Sequence, residues 1–327
     1  MPQAAPASEQ EFLTLIDRHF PNAHQHMPVA RGDDCVQLVC PPDMVLSGDL
    51  FLQDIHFRTS YFSPADIGWK ALAVNISDIA AMGCKPLGFS LGLMVPPAAQ
   101  GLSGDFWNEL FQGMAALAAL HDLPLTGGDL SQAPMLGLNI TIWGEPGPQG
   151  RVLQRRRCWP DDVLLTVGRF GLVRTGLMAL EQKGPQAIEQ YPQAVAAHLR
   201  PHPRVTEGLE LAARRAVRGC MDLSDGLAQD LPRFLGPALG AQLDIPKDTL
   251  HPETLAWTKK QGLNPVQFAY LGGEDYALLA CVAPAEADVI LGAIPDATRI
   301  GTVTGTPGIT LNGNPVPSAG FDHFANT

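Results

Sequence analysis

From Asp34 to Cys40 the apolar side chains alternate (Val36, Leu38, Cys40), and Met44 to Leu52 is a second short apolar run bounded by turn residues, so both are predicted strands. A helix is announced next by its punctuation: Ser63 at the N-cap, Pro64 in the first turn, Asp66 completing an S-x-x-D box and Gly83 just past the end. From Gly68 to Gly83 the only charged residues are Lys70 and Asp78, and a helix that is apolar on every face belongs in a core. The pattern then predicts a helix between Asp105 and Leu120, a strand into Gly127-Gly128-Asp129, and an alternating strand through Leu136, Leu138, Ile140 and Ile142.

Turn residues gather at Pro146-Gly147-Pro148-Gln149-Gly150, just before the basic residues Arg151, Arg155, Arg156 and Arg157, and the chain is divided there into 1–148 and 149–327. The second part opens with a predicted strand, Val163 to Val167, and a helix from Gly171. It continues in a long helical stretch to Arg218, a strand into Met221-Asp222, a helix after Asp225 and a final strand region after Glu274. Each part reads as an α/β (α+β) unit of its own.

Composition narrows the function more than the fold. The 327 residues are 46% hydrophobic and 17% charged, enough apolar mass for two cores. Acidic residues number 33 against 22 basic ones, a formal charge of −11, which argues against nucleic acid as a partner. No basic region followed by an apolar stretch opens the sequence, and no apolar run approaches membrane-spanning length, so the expectation is a soluble cytoplasmic protein that engages no membrane. The six cysteines form no C-x-x-C pair and are expected to be reduced and buried.

The chemistry is written in short acidic motifs at turns and element ends: Gly32-Asp33-Asp34, Ser47-Gly48-Asp49, Asn75-Ile76-Ser77-Asp78, Gly127-Gly128-Asp129, Asp222-Leu223-Ser224-Asp225-Gly226 and Gly272-Gly273-Glu274-Asp275. Any one of them alone reads as a local turn; six in one chain shift that balance. Asp78 is the sharpest case, because an ionised carboxylate in an apolar helix needs either a cation or hydrogen bonds from a nearby backbone or hydroxyl group. If the motifs converge, two carboxylates about 5 Å apart repel by about 3 kcal/mol at an effective dielectric near 20, so convergence requires bound cations. Oxygen-only donors select a hard ion such as Mg²⁺, which is completed by water and substrate phosphates.

Ser224-Asp225-Gly226 at a strand-to-helix junction offers backbone N–H groups to an anion, and Gly127-Gly128 lets a backbone approach a ligand closely. Neither a P-loop nor a dinucleotide fingerprint is present, so nucleotide binding runs through metal. No Ser or Cys occupies a nucleophile signature, and none is assigned as nucleophile or general base. On their own, His56 reads as a packed or surface histidine and Arg155 as part of a solvated basic face.

Taken in order, GDD, SGD, SPADIGWKALAVNISDIAAMG, GGD, HLRPHPR, MDLSDGLAQDL, GGEDY and GFDHFA resemble the thiamine-monophosphate kinase family of the aminoimidazole ribonucleotide synthetase superfamily, from about residue 10 to the C-terminus. The resemblance implies a two-domain fold: an N-terminal metal- and ATP-binding dimerisation domain whose sheet forms a barrel across a homodimer, and a C-terminal α/β sandwich. It implies ATP-dependent phosphorylation of thiamine monophosphate by direct in-line, Mg²⁺-assisted transfer in a cleft between the domains. Matching motif by motif, Asp34, Ser47, Asp49, Asp78, Asp129, Asp222 and Asp225 would hold several Mg²⁺ ions. Gly128, Asp129, Arg155 and Ser224 would contact ATP, and His56, Glu274 and Phe321 would contact thiamine monophosphate. The family's S-T-D is Ser47-Gly48-Asp49 here, which removes one hydroxyl.

Other functions fit parts of the pattern. A selenophosphate synthetase, a hydrogenase maturation protein or an aminoimidazole ribonucleotide synthetase would share the superfamily motifs. A catalytically silent regulator binding Mg²⁺ or nucleotide would keep the acidic motifs and need neither His56 nor Glu274.

Overall fold

A computed structural model describes residues 4–97 and 101–316. It divides into two compact units, one made of the chain up to Ile79 with Lys85–Pro146, the other of Ala80–Cys84 with the chain from Gly147 onward.

The first unit begins with α1 (Glu9–His19), set by a capping box: Ser8 Oγ accepts the Glu11 N–H and Glu11 Oε2 accepts the Ala7 N–H. Its Phe12 meets Trp107 of α3 (Gly104–Leu120) edge to face, with ring centroids 5.1 Å apart. Between them in sequence come β1 (Val45–Leu52), α2 (Pro64–Ala81) and β2 (Cys84–Val95), and after α3 come β3 (Leu125–Gln132) and β4 (Gly137–Pro146). The sheet order is β1-β4-β2-β3, with β1 antiparallel to β4 and β2 parallel to β3. Helix α2 starts on the predicted box: Ser63 Oγ accepts the Asp66 N–H and donates to the Asp66 carboxylate at 2.6 Å. It is buried almost throughout, Lys70 included, whose amine lies 5.5 Å from the Phe62 ring centroid.

The second unit holds β5 (Val163–Val167), α4 (Leu172–Lys183), α5 (Ala187–Gln190), α6 (Pro192–Leu199), α7 (Val205–Ala213), β6 (Val217–Asp222), α8 (Leu227–Leu235), β7 (Gly240–Leu243), α9 (Pro252–Gln261), α10 (Pro265–Tyr270), β8 (Leu278–Val282), α11 (Ala287–Ala293), β9 (Ala297–Thr304), β10 (Gly308–Leu311) and β11 (Asn314–Pro315). Its seven strands run β11-β10-β7-β9-β5-β8-β6, antiparallel except for β10 with β7. Strands β5 and β8 are buried at every position. Alternate residues explain it: Val163, Leu165 and Val167 join one apolar cluster and Leu164 joins another with Phe234, so the sheet is covered on both faces.

Three expectations are corrected. Asp34–Cys40 is not a strand: Val36 and Leu38 do turn inward to half-burial, but Val29 with Gln37 is a single bridge and Pro41-Pro42 end the run. Consequently Cys35 and Cys40 are exposed, while Cys84, Cys158, Cys220 and Cys281 are buried. The helical stretch stops at Ala213 and is broken at Pro185, Pro192 and Pro201-His202-Pro203, while Val217 and Arg218 begin β6. Among the described residues no helix is long and apolar enough to cross a membrane.

Candidate functional site

In the first unit, β1 and α2 bring three of the singled-out residues together. Ser47 and Asp49, two apart on β1, point the same way, toward the face of α2 that carries Asn75 and Asp78. Ser47 Oγ donates to Asp78 Oδ2 at 2.5 Å. The Asp49 N–H donates to Asn75 Oδ1 at 3.1 Å, and the Asn75 amide is itself anchored on the Ala71 carbonyl at 2.9 Å. Asn75 therefore ties the strand to the helix, a role the sequence motif did not announce. Packing around the Asp49 carboxyl and, second, the charge of Asp78 push its pKa up to about 6. Of the two alternatives, Asp78 has the hydroxyl partner, and it also faces a like charge, Asp49.

Asp129 and Asp34 stand elsewhere in this unit. Asp129 lies on β3 at the far edge of the sheet from β1, exposed, with Ser131 Oγ 3.5 Å away. Asp34 sits on an exposed turn where its N–H is held by the Asp33 carboxylate at 2.8 Å. Gly128 allows a close approach, but to β2: at φ +154, a Cβ there would lie 1.7 Å from the Leu91 carbonyl oxygen. His56, in the turn after β1, stacks on Phe51 at 5.8 Å, and its Nδ1 accepts the Leu52 N–H at 3.0 Å.

In the second unit, two acidic loops are joined backbone to backbone. The Glu274 N–H donates to the Ser224 carbonyl at 2.6 Å and the Tyr276 N–H to the Leu223 carbonyl at 2.9 Å. Gly226 meets Gly272 so closely that a Cβ would fall 1.5 Å from the Gly272 oxygen. Asp222 is buried at the end of β6, Ser224 and Asp225 are half-buried, and Arg155 is exposed. Phe321 lies outside the described residues.

The acids in these loops divide by partner. Asp230 Oδ2 accepts the N–H groups of both Asp225 and Gly226 at 3.0 Å, so two of the amides expected to greet an anion are already occupied. Burial and then the Asp225 charge push the Asp230 carboxyl up to about 6. Arg233 pairs with Asp225 and lies 3.4 Å from Asp230. Asp275 is a helix cap: its carboxylate takes the Gly171 N–H at 2.8 and 2.9 Å and the Val173 N–H at 3.4 Å, at the start of α4. Burial nevertheless holds its pKa up at about 7. Arg151 of the basic segment is a clamp on the carbonyls of Ala212, Arg214 and Val217.

Among the described residues no three His, Cys, Asp or Glu side chains gather closely enough to hold a metal ion by themselves. What the fold does gather is a pair, Asp49 with Asp78, beside a hydroxyl. A pair is what Mg²⁺ uses when water and phosphate complete its shell.

The sequence matches two family models, AIR synthase related protein, N-terminal domain, over residues 32–145, and its C-terminal domain over residues 160–314. It is 34% identical to the thiamine-monophosphate kinase of Synechococcus elongatus over 314 residues, covering 93% of this chain and 90% of that one. Its fold is similar to the crystal structure of thiamine-monophosphate kinase from Stenotrophomonas maltophilia, with a TM-score of 0.78, 28% identity and coverage of 97% and 99% of the two chains. It is also similar in fold to AaThiL complexed with AMPPCP and TMP, at a TM-score of 0.75, 23% identity and 97% coverage of both chains.

Proposed function

The chain belongs to the AIR synthase related family and, within it, to the thiamine-monophosphate kinases, and from that membership we propose that it transfers the γ-phosphoryl group of ATP to thiamine monophosphate. The observation that carries the reading is the match to a thiamine-monophosphate kinase over 93% of the chain. In the reaction the bond between the γ-phosphorus and its bridging oxygen breaks, a phosphate oxygen of the acceptor bonds to that phosphorus in line, and ADP and thiamine diphosphate leave. The acceptor oxygen is already ionised, so no residue serves as nucleophile or general base, and alignment and charge neutralisation suffice.

The residues fit Mg²⁺: the donors are oxygens, and Asp49 beside Asp78 is a like-charged pair that a cation relieves. Asp34, Ser47, Asp49, Asp78 and Asp129 in one unit, and Asp222 and Asp225 in the other, would hold the ions, which when bound neutralise phosphate oxygens. The chain's own groups prepare this. Ser47 fixes the Asp78 carboxylate, and Asn75 fixes the backbone at Asp49. Gly128, Asp129, Arg155 and Ser224 take ATP, and His56, Glu274 and Phe321 take thiamine monophosphate. A cytoplasmic homodimer completes the reading.

Incubation with ATP, Mg²⁺ and thiamine monophosphate tests it, with ADP and thiamine diphosphate expected in equal amounts and no product in EDTA. ATP consumption without thiamine diphosphate would assign the chain to another reaction of the superfamily. No consumption at all would leave a silent binding module.

A further inference from the structure

His198 sits in the last turn of α6, on the side of that helix that also buries Ala194, Val195 and Leu199. Its side chain is 2% exposed, and its Nδ1 lies 3.3 Å from Oε2 of Glu274, whose side chain is 27% exposed. An imidazole in an apolar setting is costly unless its nitrogens are engaged, so this contact is a reason for the residue's presence there. Glu274 is held unusually from the other side. Its backbone has φ +61, a left-handed value that a non-glycine residue adopts only under strain, and its N–H is fixed on Ser224 at 2.6 Å. The backbone fixes where the Glu274 side chain starts, and the buried imidazole gives its carboxylate a partner.

We propose that His198 is the positioning residue for Glu274: its Nδ1–H holds the carboxylate from inside the core, so that Glu274 meets the cationic thiazolium and aminopyrimidine of the acceptor already oriented. The inference rests on the reading of Glu274 as a substrate contact. His198 itself touches no substrate. Its contribution is the rotameric freedom that Glu274 no longer has to lose on binding.

The test is steady-state kinetics of His198→Leu, His198→Asn, His198→Gln and Glu274→Gln, with thermal unfolding of each. Asn carries its amide N–H where Nδ1 stands, and Gln carries it where Nε2 stands. His198→Leu is expected to raise KM for thiamine monophosphate about tenfold, with kcat and KM for ATP within about twofold, and His198→Asn to restore most of the loss. Combining His198→Leu with Glu274→Gln should add little to Glu274→Gln alone, because both remove one oriented carboxylate. If Glu274→Gln raises that KM while His198→Leu does not, the inference is overturned and the substrate reading stands. If Glu274→Gln leaves it unchanged, the reading of Glu274 fails first, and the inference with it. Should the Leu variant not fold, the comparison of Asn with Gln decides: equal KM values for the two would overturn the proposal.

Discussion

Gly226 offers a perturbation whose size can be worked from the structure. It precedes α8 at φ 96 and ψ 157, a region essentially reserved for glycine, and a Cβ there would lie 1.5 Å from the Gly272 carbonyl oxygen and 2.5 Å from its carbon. Gly226→Ala therefore carries two costs, about 1–3 kcal/mol of backbone strain and about 1–3 kcal/mol of overpacking. Together they approach the lower end of a domain's total stability, about 5 kcal/mol. The neighbour that must yield is backbone, so the loop with Glu274 has to retreat by roughly 2 Å from the loop with Asp222, Ser224 and Asp225 before an ordinary contact of 3.4 Å is restored. A misplacement of about 1 Å at reacting groups can cost about a hundredfold in rate. Gly262 supplies the control: it caps α9 at φ +68 with open space around its missing Cβ, so Gly262→Ala carries strain of about 1–2 kcal/mol and no clash. Urea unfolding and ADP release, measured side by side, should show Gly226→Ala the less stable and about a hundredfold slower, with Gly262→Ala near wild-type rate. Equal behaviour of the two variants would refute the reasoning.

The titration of Asp275 gives a second test. Its carboxyl, raised to about 7 in the fold from 3.8, keeps a proton that the unfolded chain gives up, so the stability it contributes is complete below about pH 4 and is lost as pH rises through 7. Wild type should therefore lose more unfolding free energy between pH 4.5 and 7.5 than Asp275→Asn does, and parallel pH profiles would contradict this. Asp78→Asn should abolish phosphorylation while the metal-free protein melts at the same temperature or higher, since repulsion with Asp49 is relieved; a large drop in metal-free melting temperature would make Asp78 a structural residue. Asp230→Ala leaves the Asp225 and Gly226 amides without their acceptor and should destabilise by about 2–4 kcal/mol in urea, whereas Arg233→Gln, which removes a side chain 45% exposed, should cost less than about 1 kcal/mol.

Elements that carry their own local instructions were legible from the residues. The Ser63 box opens α2, the run Val163–Val167, apolar but for Thr166, is β5, and Gly171 stands at the start of α4. Elements whose identity depends on a neighbour were not. Strand β2 does alternate, through Leu87, Phe89, Leu91 and Leu93, but the residues between them are Gly88, Ser90 and Gly92, turn formers that mask a strand. Residues 34–40 alternate correctly but have only one bridge to pair with. The same division runs through the site. Asn75 was visible as part of a motif, but its amide bond to Asp49 joins residues 26 apart. Asp275 acts on amides about a hundred residues away that no spacing rule connects to it, and His198 meets Glu274 only because α6 is packed beside the loop that follows α10.

Partner identity separates the carboxylates that shape this protein from those available to a metal. An acid that accepts backbone N–H groups, as Asp230 and Asp275 do, has donors that cannot leave, and although burial still holds both carboxyls up, a cation would have to displace those amides. Asp49 and Asp78 face each other instead: Ser47 gives Asp78 a hydroxyl, but burial and then the Asp78 charge hold the Asp49 carboxyl up at about 6, and a cation relieves that repulsion. Asp225 falls between the two, since its partner Arg233 is a partly exposed cation that a denser charge can displace. A charged motif is therefore informative about metal binding to the extent that the fold leaves its carboxylate facing another carboxylate or an exchangeable cation. By that criterion Asp49, Asp78 and Asp225 are the acids on which Mg²⁺-dependent activity should depend most steeply, and replacing Asp275 should change stability before it changes the metal requirement.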